Sequence, residues 1–151
     1  MKRIMLAILM LLMTVSTAGA YDKMMAESYA QYFAPFSHKA TGKHLHMIGN
    51  AAFIEHAKAG ELFILDIRAP GETSIIGINI PETVAIPMNQ VFTAESLARL
   101  PTDMKIVVVC KAGHRAMAIS TALRHIGFDN TYILKSGIQG LAQYLSPKTA
   151  Y

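Results

Sequence analysis

The sequence predicts an open, doubly wound α/β domain: a mostly parallel five-stranded sheet with helices on both faces. Short apolar, β-branched runs alternate along the chain with segments of helical periodicity, and strands separated by helices pair in parallel through right-handed crossovers. The strongest run, "KIVVVC", has the composition of a strand buried on both faces. At 151 residues and 52% hydrophobic, the chain is long enough for one core and too short for two comfortable ones.

The elements follow in order. Lys2 and Arg3 precede the apolar run "IMLAILMLLMTV", and Ala18, Gly19 and Ala20 form a small-residue cleavage site, so residues 1–20 read as a signal peptide cut before Tyr21. The run is too short for a comfortable membrane span, and no cysteine stands near the site to take a lipid. The expectation is export to the periplasm with no stable membrane insertion after cleavage.

Residues 21–43 are polar and aromatic and read as an N-terminal extension, with a short helix in "ESYAQYFAPFSHKA" interrupted by Pro35. Its tyrosines and phenylalanines are expected to pad the surface of the domain that spans residues 44–151. In that domain "HLHMI" reads as a short extended segment. Asn50 opens a helix through "AAFIEHAKAG" that ends at Gly60. "LFILDI" is a strand followed by the turn signal "APG", and "TVAIPM" is a weaker strand. "AESLARL" is a helix stopped by Pro101, and "KIVVVC" the central strand. "RAMAISTALRHIGF" is a helix that stops at Gly127, "TYILK" a fifth strand and "GIQGLAQYL" the last helix.

Without Lys2 and Arg3 the formal charge falls from +4 to +2, which asks for no nucleic-acid partner. A single cysteine, Cys110, allows no internal disulfide, so the core alone must hold the fold. A lone Cys is often just a small buried hydrophobe. Position argues otherwise, because ligands of open α/β sheets sit beyond the carboxyl ends of the strands, where Cys110 lies.

Only a few residues separate Val109 from the helix that starts near Arg115, so the chain must wrap around the Cys110 side chain, and Gly113 allows the bend. Such a loop turns successive backbone N–H groups inward as an anion nest, and the helix adds its positive end. Both effects favour thiolate over thiol, as do the neighbouring Lys111, His114 and Arg115. Four residues lie between Cys110 and Arg115, where the phosphatase loop has five, so this cradle suits a smaller guest than phosphate. A sulfur atom bonded to Cys110 as a persulfide is such a guest.

Cys110, Gly113, Arg115 and Ala116 resemble the Cys-x-x-Gly-x-Arg-Ser/Ala loop of the rhodanese (sulfurtransferase) family. "LDIR" at Leu65 to Arg68 is similar to its Asp-x-Arg signature, and "YILKSGIQGL" to the segment before its last helix. The resemblance covers roughly Leu45 to Leu145. It implies that the Cys110 thiolate attacks the sulfane sulfur of thiosulfate or polysulfide and passes the outer sulfur of the persulfide to cyanide, a small thiol or a protein acceptor. It implies no metal and no organic cofactor. The chain departs from the family pattern in three places. "IIGINIPETVAIP" lacks the usual Gly-His-Ile-x-Gly-Ala, Ser136 replaces a second Gly, and Leu141 replaces a Trp. These leave the pocket wall and substrate preference open.

The candidate site is therefore Cys110 as nucleophile within the loop Lys111, Ala112, Gly113, His114, Arg115 and Ala116, backed by Asp66 and Arg68. Lys111 stands at the rim as an attractor of anions or as a solvated side chain. His114 is not required for a thiolate already held by N–H groups. Arg115 is expected to pair with Asp66 at the end of the neighbouring strand, and Arg68 either to pair with Glu72 or to reach substrate. His44 and His46 would share one face of a strand, but no third metal ligand follows. Met88, Met104 and Met117 read as core filling rather than copper ligands. The competing readings are a sulfur carrier that turns over thiosulfate poorly, a phosphatase or arsenate reductase, and an inactive binding module. Against the arsenate reductase stands the lack of a second Cys.

Overall fold

The computed structural model describes residues 20–146, so the expected signal peptide, Ala20 apart, lies outside the described residues. The sheet has five strands, all parallel, in the order β1-β5-β4-β2-β3. These are β1 (Met47–Ile48), β2 (Leu62–Asp66), β3 (Thr83–Ala85), β4 (Lys105–Val109) and β5 (Thr131–Leu134). The helices are α1 (Lys23–Phe33), α2 (Thr41–His44), α3 (Asn50–Lys58), α4 (Pro70–Thr73), α5 (Ala94–Leu97), α6 (His114–His125) and α7 (Gly137–Tyr144).

The period of two along a strand divides its side chains between two cores. Phe63 and Leu65 of β2 and Ile106 and Val108 of β4 pack on one face with Ala116, Ile119 and Leu123 of α6. Leu62 and Ile64, with Val107 and Val109, pack on the other with Phe53 of α3 and Leu141 of α7. Cys110 continues the alternation of Ile106 and Val108 and is buried with the first cluster. This two-sided burial explains why β2 and β4 read as unbroken apolar runs.

Leu65 pairs with Val108 and Asp66 with Val109, so β2 and β4 end side by side. From there the chain moves outward to β3 on one side and to β5 on the other. The carboxyl ends of these two strands therefore border the crevice where α/β sheets bind ligands.

Several local expectations are corrected. "HLH" is not a strand: His44 closes α2, and His46 has φ 50° just before β1, with its ring stacked on Tyr132 at 5.0 Å. The two histidines thus share no strand face. Burial, then the charge of Arg124, lowers the pKa of His46. The "APG" turn continues into α4, where Pro70 takes the first helical position and needs no hydrogen-bond partner. Met104 does pack against the core, but Met88 and Met117 are exposed.

The N-terminal extension carries α1, whose start is capped by the Asp22 carboxylate accepting from the Met25 N–H at 3.0 Å. No residue of α1 is buried. It rests on the end of α6, where Ser28 Oγ lies 2.9 Å from His125 Nε2, the Tyr29 ring packs at a tilt against His125 at 4.1 Å and Arg124 Nε donates to the Tyr32 hydroxyl at 3.1 Å. Its aromatics do pad the domain surface. Among the described residues no helix is long and apolar enough to cross a membrane.

Candidate active site

β4 ends at Val109, and the next residues fold back over Cys110 before α6 begins at His114, one residue earlier than expected. The Gly113 N–H donates to Cys110 Sγ at 3.1 Å and the Ala116 N–H at 3.4 Å. Two backbone donors therefore converge on one sulfur. One of them is a first-turn N–H of α6, an orphan donor at the positive end of the helix dipole. The thiol is 1% exposed, so water competes little for it.

The loop holds this shape because its neighbours leave no room for another. Gly113 has φ 95°, and a Cβ there would lie 2.5 Å from the Lys135 carbonyl oxygen. Gly137 has φ 58°, and a Cβ there would meet the Cys110 carbonyl oxygen at 2.5 Å and the Ala112 nitrogen at 2.6 Å. Close approach lets the first turn of α7 grip the loop from behind. The Ile138 N–H donates to the Cys110 carbonyl at 2.8 Å and the Gln139 N–H to the Lys111 carbonyl at 3.0 Å. Orphan donors of one helix thus satisfy the carbonyls of the loop that opens another.

The ion pairs differ from the expected ones. Asp66 pairs with Arg68, not with Arg115: Arg68 Nε donates to both carboxylate oxygens, and its Nη2 donates to Oδ2 at 2.6 Å and to the Ile76 carbonyl at 2.8 Å. The bend after β2 brings Arg68 back over Asp66, whose Oδ1 also accepts from the Arg68 N–H at 3.1 Å. Both partners are buried. Arg68 therefore pairs with Asp66 and not with Glu72.

Arg115 makes a bidentate pair with Glu72 at 2.7 and 2.6 Å, and Glu72 Oε2 also accepts from the Ala69 N–H at 3.1 Å. These bonds hold the Glu72 carboxyl down to about 2 from 4.5, the Arg115 hydrogen bonds first and the Ala69 N–H second. The pKa of Arg115 is raised, chiefly by Glu72, with the Cys110 sulfur adding to the effect. Sequence reasoning missed Glu72 as this partner and the α7 amides behind the loop. An acid in the first turn of a helix opened by Pro70 was the available signal for Glu72.

This latch carries a pH prediction. A carboxyl whose folded pKa lies below its unfolded one contributes stability that is full above pH 4.5 and is lost as the pH falls through about 2. Carbon-detected titration of the Glu72 carboxyl is expected to give a midpoint well below 4, moving up when Arg115 is replaced by Gln. A Glu72 midpoint near 4.5 would show that the latch is open in solution.

The remaining loop residues sort by exposure. Lys111, Ala112 and His114 face solvent, whereas Gly113 and Ala116 are buried. Ser136 bonds Asn50 Oδ1 at 2.7 Å, while Asn50 Nδ2 donates to the Gly140 carbonyl at 3.1 Å, tying α7 to α3. Leu141 fills the second core.

The family model for the rhodanese-like domain matches residues 50–144. The chain belongs to the rhodanese-like domain family. The all-parallel five-stranded sheet is in keeping with that family's fold.

A probable adenylyltransferase/sulfurtransferase MoeZ of Mycobacterium tuberculosis is 32% identical over 87 residues, which are 58% of this chain and 22% of that protein. A sulfurtransferase of Allochromatium vinosum is 27% identical over 94 residues, 62% of this chain and 84% of that one. Thus the chain spans about a fifth of the MoeZ length and most of the second relative. Among solved structures, a rhodanese-related protein of Thermoplasma volcanium superposes with TM-score 0.58 at 26% identity, covering 68% of this chain and 95% of that one.

Proposed function

We propose that this rhodanese-like domain is an exported sulfurtransferase whose Cys110 cycles between thiolate and persulfide. The thiolate attacks the sulfane sulfur of thiosulfate or a polysulfide, and sulfite or the shortened polysulfide leaves with the electron pair of the broken S–S bond. The Cys110 persulfide then yields its outer sulfur to cyanide, a small thiol or a protein thiol, restoring the thiolate. Two half-reactions through a covalent intermediate give ping-pong kinetics.

The observation that carries the reading is the convergence of the Gly113 and Ala116 N–H groups on Cys110 Sγ. Donors fixed by the loop stabilise an anion on sulfur without reorganising at each turnover. The sulfurtransferase names of the relatives support the same chemistry. Export rests on Lys2, Arg3 and the apolar run that follows them.

The test is intact mass. Protein starting at Tyr21, treated with thiosulfate or polysulfide and freed of excess donor, is expected to gain the mass of one sulfur atom and to lose it to cyanide. If neither donor adds sulfur, the proposal fails.

A further inference from the structure

Ser136 immediately precedes α7, yet its hydroxyl does not do what a serine in that place ordinarily does. Such a serine accepts a hydrogen bond from the N–H of the second or third residue of its helix. In α7 those residues are Ile138 and Gln139. Their N–H groups go instead to the Cys110 and Lys111 carbonyls, at 2.8 and 3.0 Å, and the Ser136 side chain caps nothing in its own helix. The donors that would close α7 on itself therefore hold the loop of the nucleophile.

What occupies the hydroxyl is Asn50, the first residue of α3. Asn50 Oδ1 lies 2.7 Å from Ser136 Oγ, and Asn50 Nδ2 donates to the Gly140 carbonyl at 3.1 Å. A carbonyl oxygen can only accept, so the amide is fixed with Nδ2 toward Gly140 and Oδ1 toward Ser136, and the hydroxyl is the donor. The hydroxyl is nonetheless close to the helix it leaves uncapped. A Cβ added at Gly140 would stand 2.1 Å from Ser136 Cβ and 2.4 Å from Ser136 Oγ, so this side chain lies over the first turn of α7. Without Asn50, its oxygen is an acceptor beside the first-turn N–H groups, in competition with the two loop carbonyls.

The loop transmits such a change to the sulfur. The carbonyl held by Ile138 and the Sγ held by Gly113 and Ala116 belong to the same residue, Cys110. Letting the carbonyl go moves the sulfur relative to its two donors. The Ala116 contact, at 3.4 Å, is already long, and further stretching weakens it steeply.

We propose that Asn50 is a positioning residue: by holding the Ser136 hydroxyl it reserves the Ile138 and Gln139 N–H groups for the Cys110 loop, and so keeps two donors on the Cys110 sulfur. The proposal deepens the Cys110 reading and rests on it for its bearing on turnover. Asn50 acts through α7 and not on the reacting sulfur. A glycine at position 136, usual in the family pattern, carries no hydroxyl and needs no such restraint, so Ser136 and Asn50 work as a pair.

The test is the rate at which iodoacetamide alkylates Cys110, read by intact mass. Cys110 is the single cysteine, and this readout needs no sulfur transfer. At about pH 7, Asn50→Ala is expected to slow alkylation about tenfold, the scale of one lost hydrogen bond to a charged group. The gap is expected to close near about pH 10, where the thiol ionises in both proteins. Adding Ser136→Ala to Asn50→Ala is expected to bring the rate back to within about threefold of the unmutated protein, since the competing oxygen is gone. Sulfur-transfer kcat/KM is expected to follow the same order. An unchanged rate in Asn50→Ala, no recovery in the double variant, or a gap that persists at high pH would overturn the proposal. Asn50→Asp decides the matter even where Asn50→Ala does not fold. It keeps an acceptor for the hydroxyl and suits the first turn of α3, so its rate is expected to stay within about threefold of the unmutated one. A tenfold fall there overturns the proposal. Failure of the unmutated protein to load sulfur is a different result. It overturns the persulfide reading, and with it the bearing of Asn50 on turnover, whatever the alkylation rates.

Discussion

Cys110→Ser is expected to abolish sulfur loading and to lower sulfur-transfer turnover by at least about a thousandfold, the order expected when a covalent nucleophile is removed. The substitution is a clean test because it keeps the shape of the side chain and a hydrogen-bonding atom at its end. The Gly113 and Ala116 N–H groups, now 3.1 and 3.4 Å from sulfur, would still find an acceptor in the serine oxygen. Folding should thus change little, and circular dichroism and urea unfolding should overlay those of the unmutated protein. What changes is chemistry: an alcohol carries almost no alkoxide at neutral pH and forms no persulfide. A variant that keeps a tenth of the turnover, or still gains one sulfur by mass, would remove Cys110 from the mechanism.

Arg68→Ala is expected to destabilise the fold by about 3–5 kcal/mol in urea unfolding, the range found when one partner of a buried ion pair is removed. The reason is what remains. Asp66 and Arg68 are each 2% exposed, so the carboxylate would be left in the interior beside Val109 without its fork of donors. The same truncation at Arg115 is expected to cost about 1 kcal/mol or less, because that pair is one-third exposed and water screens it. The contrast tests the pairing itself. Had Asp66 paired with Arg115, the Arg115 variant would be the damaging one. A larger loss for Arg115→Ala than for Arg68→Ala would contradict the observed partners. Arg68→Ala should also release the Ile76 carbonyl, which its Nη2 now holds at 2.8 Å.

Much of the architecture was legible because strong local signals agreed with the tertiary fold. The β-branched stretch of β4 could hardly be anything but a two-sided strand, and the apolar spacing of α6 located its buried face. The errors fall where the signal is weak or the segment short. "HLHMI" is too short for periodicity to separate a strand from the end of a helix, and the helix α2 won through backbone bonds such as Leu45 N–H to the Thr41 carbonyl. The exposure of Met88 and Met117 was not legible, because a methionine's flexible, adaptable side chain serves at a surface as readily as in a core.

The sequence by itself determined the order of elements, the two-faced core and the place of Cys110 at the end of the central strand, with Gly113 at the bend. These depend on neighbours in the chain and on the period of two or 3.6 residues, both of which can be read in one dimension. Only the tertiary structure decided which carboxylate meets which arginine. Arg115 reaches Glu72 across 43 positions of sequence, whereas Arg68 turns back on Asp66 only two residues away. Arginine side chains are long and their charge is not directional along the chain, so several carboxylates are within reach on paper. The choice was made by the bend after β2, which buries one pair, and by the turn of α4, which presents Glu72 to the Cys110 loop.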